Sequence, residues 1–202
     1  MLIMNKEENT IYFVTGNNNK FDEGIEVFTK ESVPYKLKQK DIETIEIQAK
    51  TLKDVALFKL NSVKNKIDGS FFIEDAGFFV DVPLGGFPGV YSSYVLKTIG
   101  NEGILKLIGD YESSRAHFSA IISLYYEPLD VITFFDGYIS GRISSEIRGE
   151  SGFGFDPIFI PDSIPEKTFA ELSLHQKNQI SHRGQVIKKL IKFLRKNHSV
   201  EK

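Results

Sequence analysis

The stretch RAHFSAIISLYY, residues 115–126, is the segment on which the fold of this chain depends. Small and apolar residues occupy alternate positions in it, and the positions between them are more mixed and include histidine and serine. A period of two is typical of a β-strand with one face in the core and the other partly exposed. The residues that this pattern predicts on the core face are Ala116, Phe118, Ala120, Ile122 and Leu124.

Patterns on both sides of this strand predict further strands and flanking helices. VITFFDGYISGRI (131–143) contains two β-prone runs around Gly137. IYFV (11–14), a polar loop and a helical spacing of apolar residues together predict strand, loop and helix. Amphipathic helices are predicted at 51–66 and 186–194. We therefore predict an α/β fold, with a mixed sheet that is antiparallel at its centre and carries flanking helices.

The sequence of residues 85–109, which precedes the central strand, predicts a loop followed by a short helix. GGFPGVYSS (85–93) holds three glycines and a proline, which favour a loop. NEGILKLIG (101–109) has the spacing of a short helix, for which Asn101 is the candidate N-cap.

Composition limits the classes of protein to which this chain can belong. With 202 residues, 41% of them hydrophobic, the sequence predicts a single domain over residues 1–202. The net charge of −2 gives no basic excess for binding nucleic acid polymers. The chain has no cysteine, which excludes disulfides and thiolate metal sites. Residues 1–10 are too short and too charged for a signal peptide, and no apolar run reaches membrane-spanning length, so we expect a cytoplasmic protein.

The stretch FFIEDAGFFV (71–80) places Glu74 and Asp75 between two apolar runs. Burying an unpartnered carboxylate costs several kcal/mol, so such a pair in a buried strand indicates a metal ion or a proton-transfer role. The alternative is a turn between two short strands, with both acids in water.

The loop TGNNNK (15–20) has the parts of a phosphate cradle. A glycine after a buried strand allows close approach to a ligand, the following helix offers free amides, and a lysine adds charge. The spacing matches neither of the common glycine-rich phosphate motifs, and an asparagine-rich turn that caps a helix would explain the same letters.

Motifs spread along the chain resemble those of the inosine triphosphate pyrophosphatase family, the non-canonical purine nucleoside triphosphate pyrophosphatases. They are TGNNNK, IEIQ (45–48), EDAGFFVDVPLGGFPGVYSS (74–93), GFGFDPIF (152–159), and TFAEL (168–172) followed by QKNQISHRG (176–184). The resemblance implies hydrolysis of ITP, dITP or XTP to the monophosphate and pyrophosphate, which cleanses the nucleotide pool. It also implies two lobes around a central substrate cleft, an elongated sheet, a requirement for Mg²⁺ and a homodimer.

The same resemblance assigns residues to the phosphate end of the site. Carboxylates that match the family's metal ligands are Glu46, Glu74 and Asp75, and Asp75 also matches the general base. The nearby Glu43 is an alternative to Glu46. Residues that match the triphosphate-binding positions are Thr15, Gly16, Asn17, Lys20 and Lys59. Because lysines on amphipathic helices are usually solvated, a surface role for Lys59 stays open.

Two further segments match the family's base-recognition positions. The first contains Phe153, which would stack on the purine, with Gly154, Phe155 and Asp156; a β-bulge with core aromatics is the alternative. The second contains Lys177, Ser181, His182 and Arg183, although SHR could also be a serine cap followed by surface residues. Donors there would favour a 6-oxo purine over adenine but would leave the rejection of GTP unexplained. Ala76 stands where the family usually has a hydroxyl residue, and only its backbone amide remains for binding.

Two other functions fit the phosphate motifs. One is a nucleotide-binding module without catalysis, and the other is a pyrophosphatase for canonical or pyrimidine nucleotides. The carboxylate set favours hydrolysis over binding alone, because binding needs only cations and amides. The preference among ITP, dITP and XTP is not determined by the sequence.

Overall fold

A computed structural model of the chain describes residues 9–198. The sequence predicts that residues 1–10 are not a signal peptide. Residues 1–8 of that segment lie outside the described range. The described strands are β1 (Thr10–Val14), β2 (Lys36–Lys40), β3 (Phe71–Val82), β4 (Phe87–Gly89), β5 (Arg115–Tyr126), β6 (Val131–Ile143) and β7 (Phe159–Pro161). The α-helices are α1 (Asn18–Lys30), α2 (Leu52–Val63), α3 (Ser92–Thr98), α4 (Gly100–Ile108), α5 (Leu174–Ile180) and α6 (His182–His198).

These strands form one mixed sheet in the order β2-β1-β3-β5-β6-β7, with β4 paired to β3. β1 lies parallel to β2 and β3, and every other pairing is antiparallel. The helices α1 and α2 lie in the connections that return the chain to parallel strands, as such crossovers require. The predicted α/β fold with a mixed sheet is confirmed.

The central strand β5 has the predicted alternation. It is antiparallel to both β3 and β6, and its predicted core residues are all buried, namely Ala116, Phe118, Ala120, Ile122 and Leu124. Helices α1 and α6 cover one face of the sheet around Phe13 and Phe72, while α2 covers the other face around Phe71. A separate apolar cluster around Phe78 and Phe118 fills the far end of the long strands. The site described below lies between these regions.

The acid pair lies in one continuous strand, so the alternative of a turn between two short strands is wrong. Glu74 pairs with Ile122 of β5, and Asp75 pairs with Ile121. Both carboxylate residues are buried, at 4% and 8% exposure. The backbone pairs with β5 without a break from Phe71 to Val80, while on the other edge of β3 the strands β1 and β4 pair with residues 71–72 and 78–80.

The segment 131–143 is likewise one strand, β6, and not two runs separated at Gly137. Gly137 pairs with Ala120 in regular register. A Cβ atom at this position would collide with the carbonyl oxygen of His182. The glycine therefore allows α6 to pack closely on the sheet, and it does not end the strand.

Two predictions about residues 85–109 are wrong. The segment predicted as a loop contains β4 and the first residues of α3. Asn101 is not the N-cap of α4, because the helix begins at Gly100 and Ile99 precedes it. The Asn101 side chain instead donates a hydrogen bond to the carbonyl oxygen of Gly154, at 3.1 Å.

Within residues 9–198 no helix has both the length and the apolar character needed to span a membrane.

Candidate active site

A cleft of about 900 Å³ opens beside the middle of β3. All residues that the sequence assigned to the site line it, with the exception of Ser181. The hydroxyl of Ser181 accepts a hydrogen bond from the backbone amide of Gly184, at 3.0 Å, so its side chain caps the start of α6 as the alternative interpretation stated. The cleft-lining set is Thr15, Gly16, Asn17, Lys20, Glu46, Lys59, Glu74, Asp75, Ala76, Phe153, Gly154, Phe155, Asp156, Lys177, His182 and Arg183.

The loop between β1 and α1 forms one end of the cleft. Thr15 Oγ1 accepts a hydrogen bond from the Asn17 amide, and Asn17 Oδ1 accepts one from the Lys20 amide, each at 3.1 Å. A Cβ atom on Gly16 would lie 2.8 Å from Asp41 Oδ1, which is too close for contact. Asn17 therefore caps α1, and the same loop presents the positive end of a helix to the cleft. The capping interpretation is confirmed, and a phosphate cradle at this loop stays a prediction that is compatible with it.

Lys59 of α2 lies between two of the predicted metal-binding carboxylates. Its Nζ atom is 3.1 Å from Glu46 Oε2 and 3.2 Å from Asp75 Oδ2. Burial lowers the pKa of Lys59, but these two carboxylates outweigh that effect and raise it. Burial raises the pKa of Asp75 more than Lys59 and Lys20 lower it. A single cation thus already holds Glu46 and Asp75 together.

Glu74 is held by two cations. Its Oε1 atom accepts from Arg183 Nε at 3.0 Å and lies 2.9 Å from Arg183 Nη2. Its Oε2 atom lies 2.7 Å from Lys20 Nζ, although the geometry is not that of a hydrogen bond. Burial would raise the pKa of Glu74, but Arg183 and Lys20 keep it below its usual value. The carboxylate is therefore ionised at neutral pH.

The donor set fits a divalent cation that is shared with a ligand. No group of three or more His, Cys, Asp or Glu side chains with metal-binding spacing occurs in the described part of the chain. Two carboxylates around the Lys59 ammonium, and the buried Glu74 Oε2 beside the Lys20 ammonium, nevertheless become available to a cation when these lysines move to another anion. Mg²⁺ is commonly held by one or two carboxylates together with phosphate oxygens and water. These residues suit that arrangement better than a cage made of protein ligands alone.

A buried network of alternating charges, most of whose members line the cleft, joins both ends of the site. Lys177 Nζ lies 2.7 Å from Glu23 Oε1 and 2.5 Å from Asp156 Oδ2. Glu23 Oε2 lies 2.5 Å from Arg183 Nη1, and Arg183 continues to Glu74. Burial would raise the pKa of Glu23, but Arg183 and Lys177 hold it low. For Asp156, burial raises the pKa more than Lys177 lowers it.

The segment around Phe153 forms the other end of the cleft. The Phe153 ring has Lys177 Nζ at 4.9 Å and Arg183 Cζ at 5.3 Å from its centroid, both within cation–π range. Its backbone amide donates to Asp156 Oδ2 at 2.8 Å. Gly154 follows with a φ of +68°, a conformation that favours glycine. Phe155 is buried and stacks on Phe78, so its ring belongs to the core.

His182 contributes a neutral ring to this wall. It is 2% exposed and stacks on Phe118 with ring centroids 4.8 Å apart. Burial, with Arg183 and Lys177 nearby, holds the pKa of His182 well below its usual range. Its Nδ1 atom is buried and has no hydrogen-bond partner within the described residues. A neutral imidazole offers one donor and one acceptor, so this ring can recognise either type of polar group.

Sequence reasoning missed two groups of residues. Glu23 is the central acid of the buried network. The only local sign of this role is that Glu23 lies one turn before Val27 on the buried face of α1. The second group lies on α3, where Ser93, Leu96 and Lys97 line the cleft. The sequence predicted a loop as far as Ser93 and no element for residues 94–100, so no helical face could be read there.

Comparison with known proteins shows which family and which proteins the chain resembles. The model of the Ham1 family matches residues 11–193. A protein named dITP/XTP pyrophosphatase from Thermococcus kodakarensis is 43% identical over 185 residues, which cover 92% of this chain and 97% of that one. A second protein of that name, from Pyrococcus horikoshii, is 45% identical over 93% of this chain and 97% of its own. The structure of the Ham1 protein of Staphylococcus aureus superposes with a TM-score of 0.77 at 29% identity, covering 94% of this chain and all of that one.

Proposed function

The chain belongs to the Ham1 family, and from that premise we propose that it hydrolyses non-canonical purine nucleoside triphosphates, namely ITP, dITP and XTP, to the monophosphate and pyrophosphate. It is a hydrolase of phosphoric anhydride bonds, like the relatives named dITP/XTP pyrophosphatase. The observation that carries the proposal is the cleft itself. It holds a helix-capping loop and three carboxylates at one end and an aromatic segment with buried donors at the other.

Asp75 is the proposed general base. A raised pKa brings a carboxylate closer to the range in which it accepts a proton at neutral pH. In this role Asp75 orients and deprotonates a water that attacks the α-phosphorus, and pyrophosphate leaves. Lys20, Lys59 and the amides of residues 15–17 bind the phosphate oxygens, whose negative charge would otherwise repel the attacking water. The two lysines must then exchange their carboxylate partners for phosphates.

Pyrophosphatases of this kind generally need a divalent metal, and we propose Mg²⁺. Glu46 and Asp75 would hold it, with Glu74 Oε2 within the same cleft. When bound, the ion neutralises phosphate charge and stabilises the leaving pyrophosphate. Because Glu74 is already tied to Arg183 and Lys20, direct ligation by Glu74 requires Lys20 to move to a phosphate oxygen.

The purine is proposed to stack on Phe153, with its 6-oxo group towards the donors at the start of α6. Neutral His182, Arg183 and nearby backbone amides can donate to an oxo group. Adenine would present an amino donor to Arg183 and to the backbone amides, which leaves these donors unpaired at a cost in binding free energy. This arrangement favours hypoxanthine and xanthine over adenine.

Pyrophosphate release from ITP, XTP, GTP, ATP and dUTP, measured with Mg²⁺ and with EDTA, tests the proposal. We expect fast release from ITP and XTP and loss of that activity when EDTA removes the metal. Comparable turnover of GTP or dUTP would instead indicate a pyrophosphatase for other nucleotides. Binding of ITP without release from any substrate would indicate a nucleotide-binding module.

Replacement of Phe153 by alanine should mainly weaken substrate binding. Loss of a stacking partner corresponds to roughly 1–3 kcal/mol, so we expect KM for ITP to rise about fivefold to 150-fold with a smaller change in kcat. The measurement is steady-state kinetics. Tyr111→Ala, which removes an exposed ring outside the cleft, is the control. An unchanged KM in Phe153→Ala would place the base elsewhere.

Three further features are proposed, of which the homodimer rests on the family resemblance and the other two on size and composition. These are a single domain over residues 1–202, a homodimer and a cytoplasmic location. Light scattering coupled to size-exclusion chromatography gives the mass in solution directly, and a monomeric mass would contradict the dimer.

A further inference from the structure

Helix α3 forms a wall of the cleft to which the sequence assigned no role. Ser93 and Lys97 lie one turn apart on the same side of the helix, and both line the cleft together with Leu96. The wall is close to the base-recognition segment, since a Cβ atom on Gly154 would lie 3.9 Å from Leu96 Cδ2. Asn101 of α4 also donates to the Gly154 carbonyl oxygen. The position of α3 is thus tied to that of the segment proposed to hold the purine.

Lys97 differs from the other cations of the cleft. Lys20, Lys59, Lys177 and Arg183 each form ion pairs with carboxylates of the site. Within residues 9–198 no carboxylate pairs with Lys97, which is exposed at the cleft wall. It can therefore donate to an acceptor on a bound substrate without first breaking an ion pair.

The arrangement around Phe153 indicates which part of the substrate would meet Lys97. Lys177 and Arg183 lie against the Phe153 ring, whereas the next residue, Gly154, faces Leu96 of α3. If the C6–N7 edge of the purine, which carries the 6-oxo group, points to the donors of α6, the C2–N3 edge on the other side of the base points to α3. The substituent on that edge is the one at C2: an oxo group in xanthine, hydrogen in hypoxanthine and an amino group in guanine.

We propose that Lys97, with Ser93 beside it, is a specificity-determining residue that recognises the C2 substituent of the purine. This inference rests on the proposed function. It assigns to Lys97 the discrimination against GTP that the contacts to the 6-oxo group leave unexplained. The ammonium group of Lys97 donates to the 2-oxo group of XTP. The 2-amino group of GTP offers this ammonium group no acceptor. The C2 hydrogen of ITP makes no hydrogen bond with it, so Lys97 neither strengthens nor weakens ITP binding. Lys97 thus favours XTP and contributes to the rejection of GTP.

The test is kcat/KM for XTP, ITP and GTP in the wild type and three variants. Lys97→Met removes the charge but keeps the apolar stem, Lys97→Arg keeps the charge, and Lys106→Met removes a charge from an exposed position of α4 outside the cleft. Loss of a charged hydrogen bond should lower the XTP-to-ITP ratio of Lys97→Met by about tenfold or more. ITP turnover should change little, Lys97→Arg should retain most of the ratio, and Lys106→Met should match the wild type.

Two results would overturn the inference. An equal loss for all three substrates in Lys97→Met would make Lys97 a phosphate contact, and an unchanged XTP-to-ITP ratio would make it a solvated lysine. Failure of the proposed function is recognised separately, since the wild type would then release no pyrophosphate from ITP. In that case the ratio of dissociation constants for XTP and ITP, measured by calorimetry in the same variants, carries the same test.

Discussion

Asp75→Asn should abolish pyrophosphate release while the protein keeps its fold. Asparagine has nearly the same shape but cannot accept a proton, and it is a weaker ligand for a divalent cation. General base catalysis alone contributes about 10²- to 10⁴-fold, so we expect kcat with ITP and Mg²⁺ to fall by at least about 10³-fold when both roles are lost. The fold should tolerate the change because Lys59 keeps Glu46 as a partner.

The control for this variant is Asp136→Asn. The Asp136 side chain is 75% exposed and pairs with Lys189 on the surface, so its replacement should leave kcat unchanged. Circular dichroism and thermal unfolding of both variants separate lost chemistry from lost structure. Turnover close to that of the wild type in a folded Asp75→Asn would remove Asp75 from the mechanism.

Glu23→Ala should have the largest effect on stability. Glu23 lies between Lys177 and Arg183, all three being 2–3% exposed, and the substitution takes from both buried cations the carboxylate that they share. Removing one partner of a buried ion pair typically costs about 3–5 kcal/mol, because the remaining charge has lost its compensation. We expect the free energy of unfolding, measured by urea denaturation, to fall by about that amount.

A surface glutamate of the same helix region provides the comparison. Glu31 pairs with Arg195 at 3.2 Å, with both side chains more than a third exposed, and Glu31→Ala should cost less than about 1 kcal/mol. A similarly small loss for Glu23→Ala would mean that the buried network stabilises the protein no more than a surface ion pair does. Glu23→Gln, which keeps the shape and hydrogen-bonding ability of the side chain, should lie between the two alanine variants.

Much of the fold and of the site could be predicted where the deciding interactions are local. The period of two in β5 and the apolar stripe of α6 follow from which face of each element is buried, and every residue they placed in the core lies there. The loop at residues 15–20 was recognisable because a glycine and a helix cap leave a local pattern. Where two local interpretations competed, as for the acid pair, neighbouring strands decided between them.

Two of the wrong predictions share one cause, which is a contact with a distant part of the chain. Gly137 looked like an interruption of two strands, but it is needed for the approach of His182. Asn101 looked like a helix cap, but its amide group binds Gly154. Composition alone does not distinguish a glycine or asparagine that ends an element from one that accommodates a distant neighbour.

By itself, the sequence determined the α/β class, the flanking helices and the motifs through which the chain is recognised as a Ham1 protein, because these depend on residue spacing within single elements. Only the tertiary structure decided how the charges are partnered. Glu23 meets Lys177 across 154 positions of sequence, and Lys97 meets no carboxylate within residues 9–198. The free energy of a buried charge depends on the partner that the fold brings to it, and no local pattern records that partner.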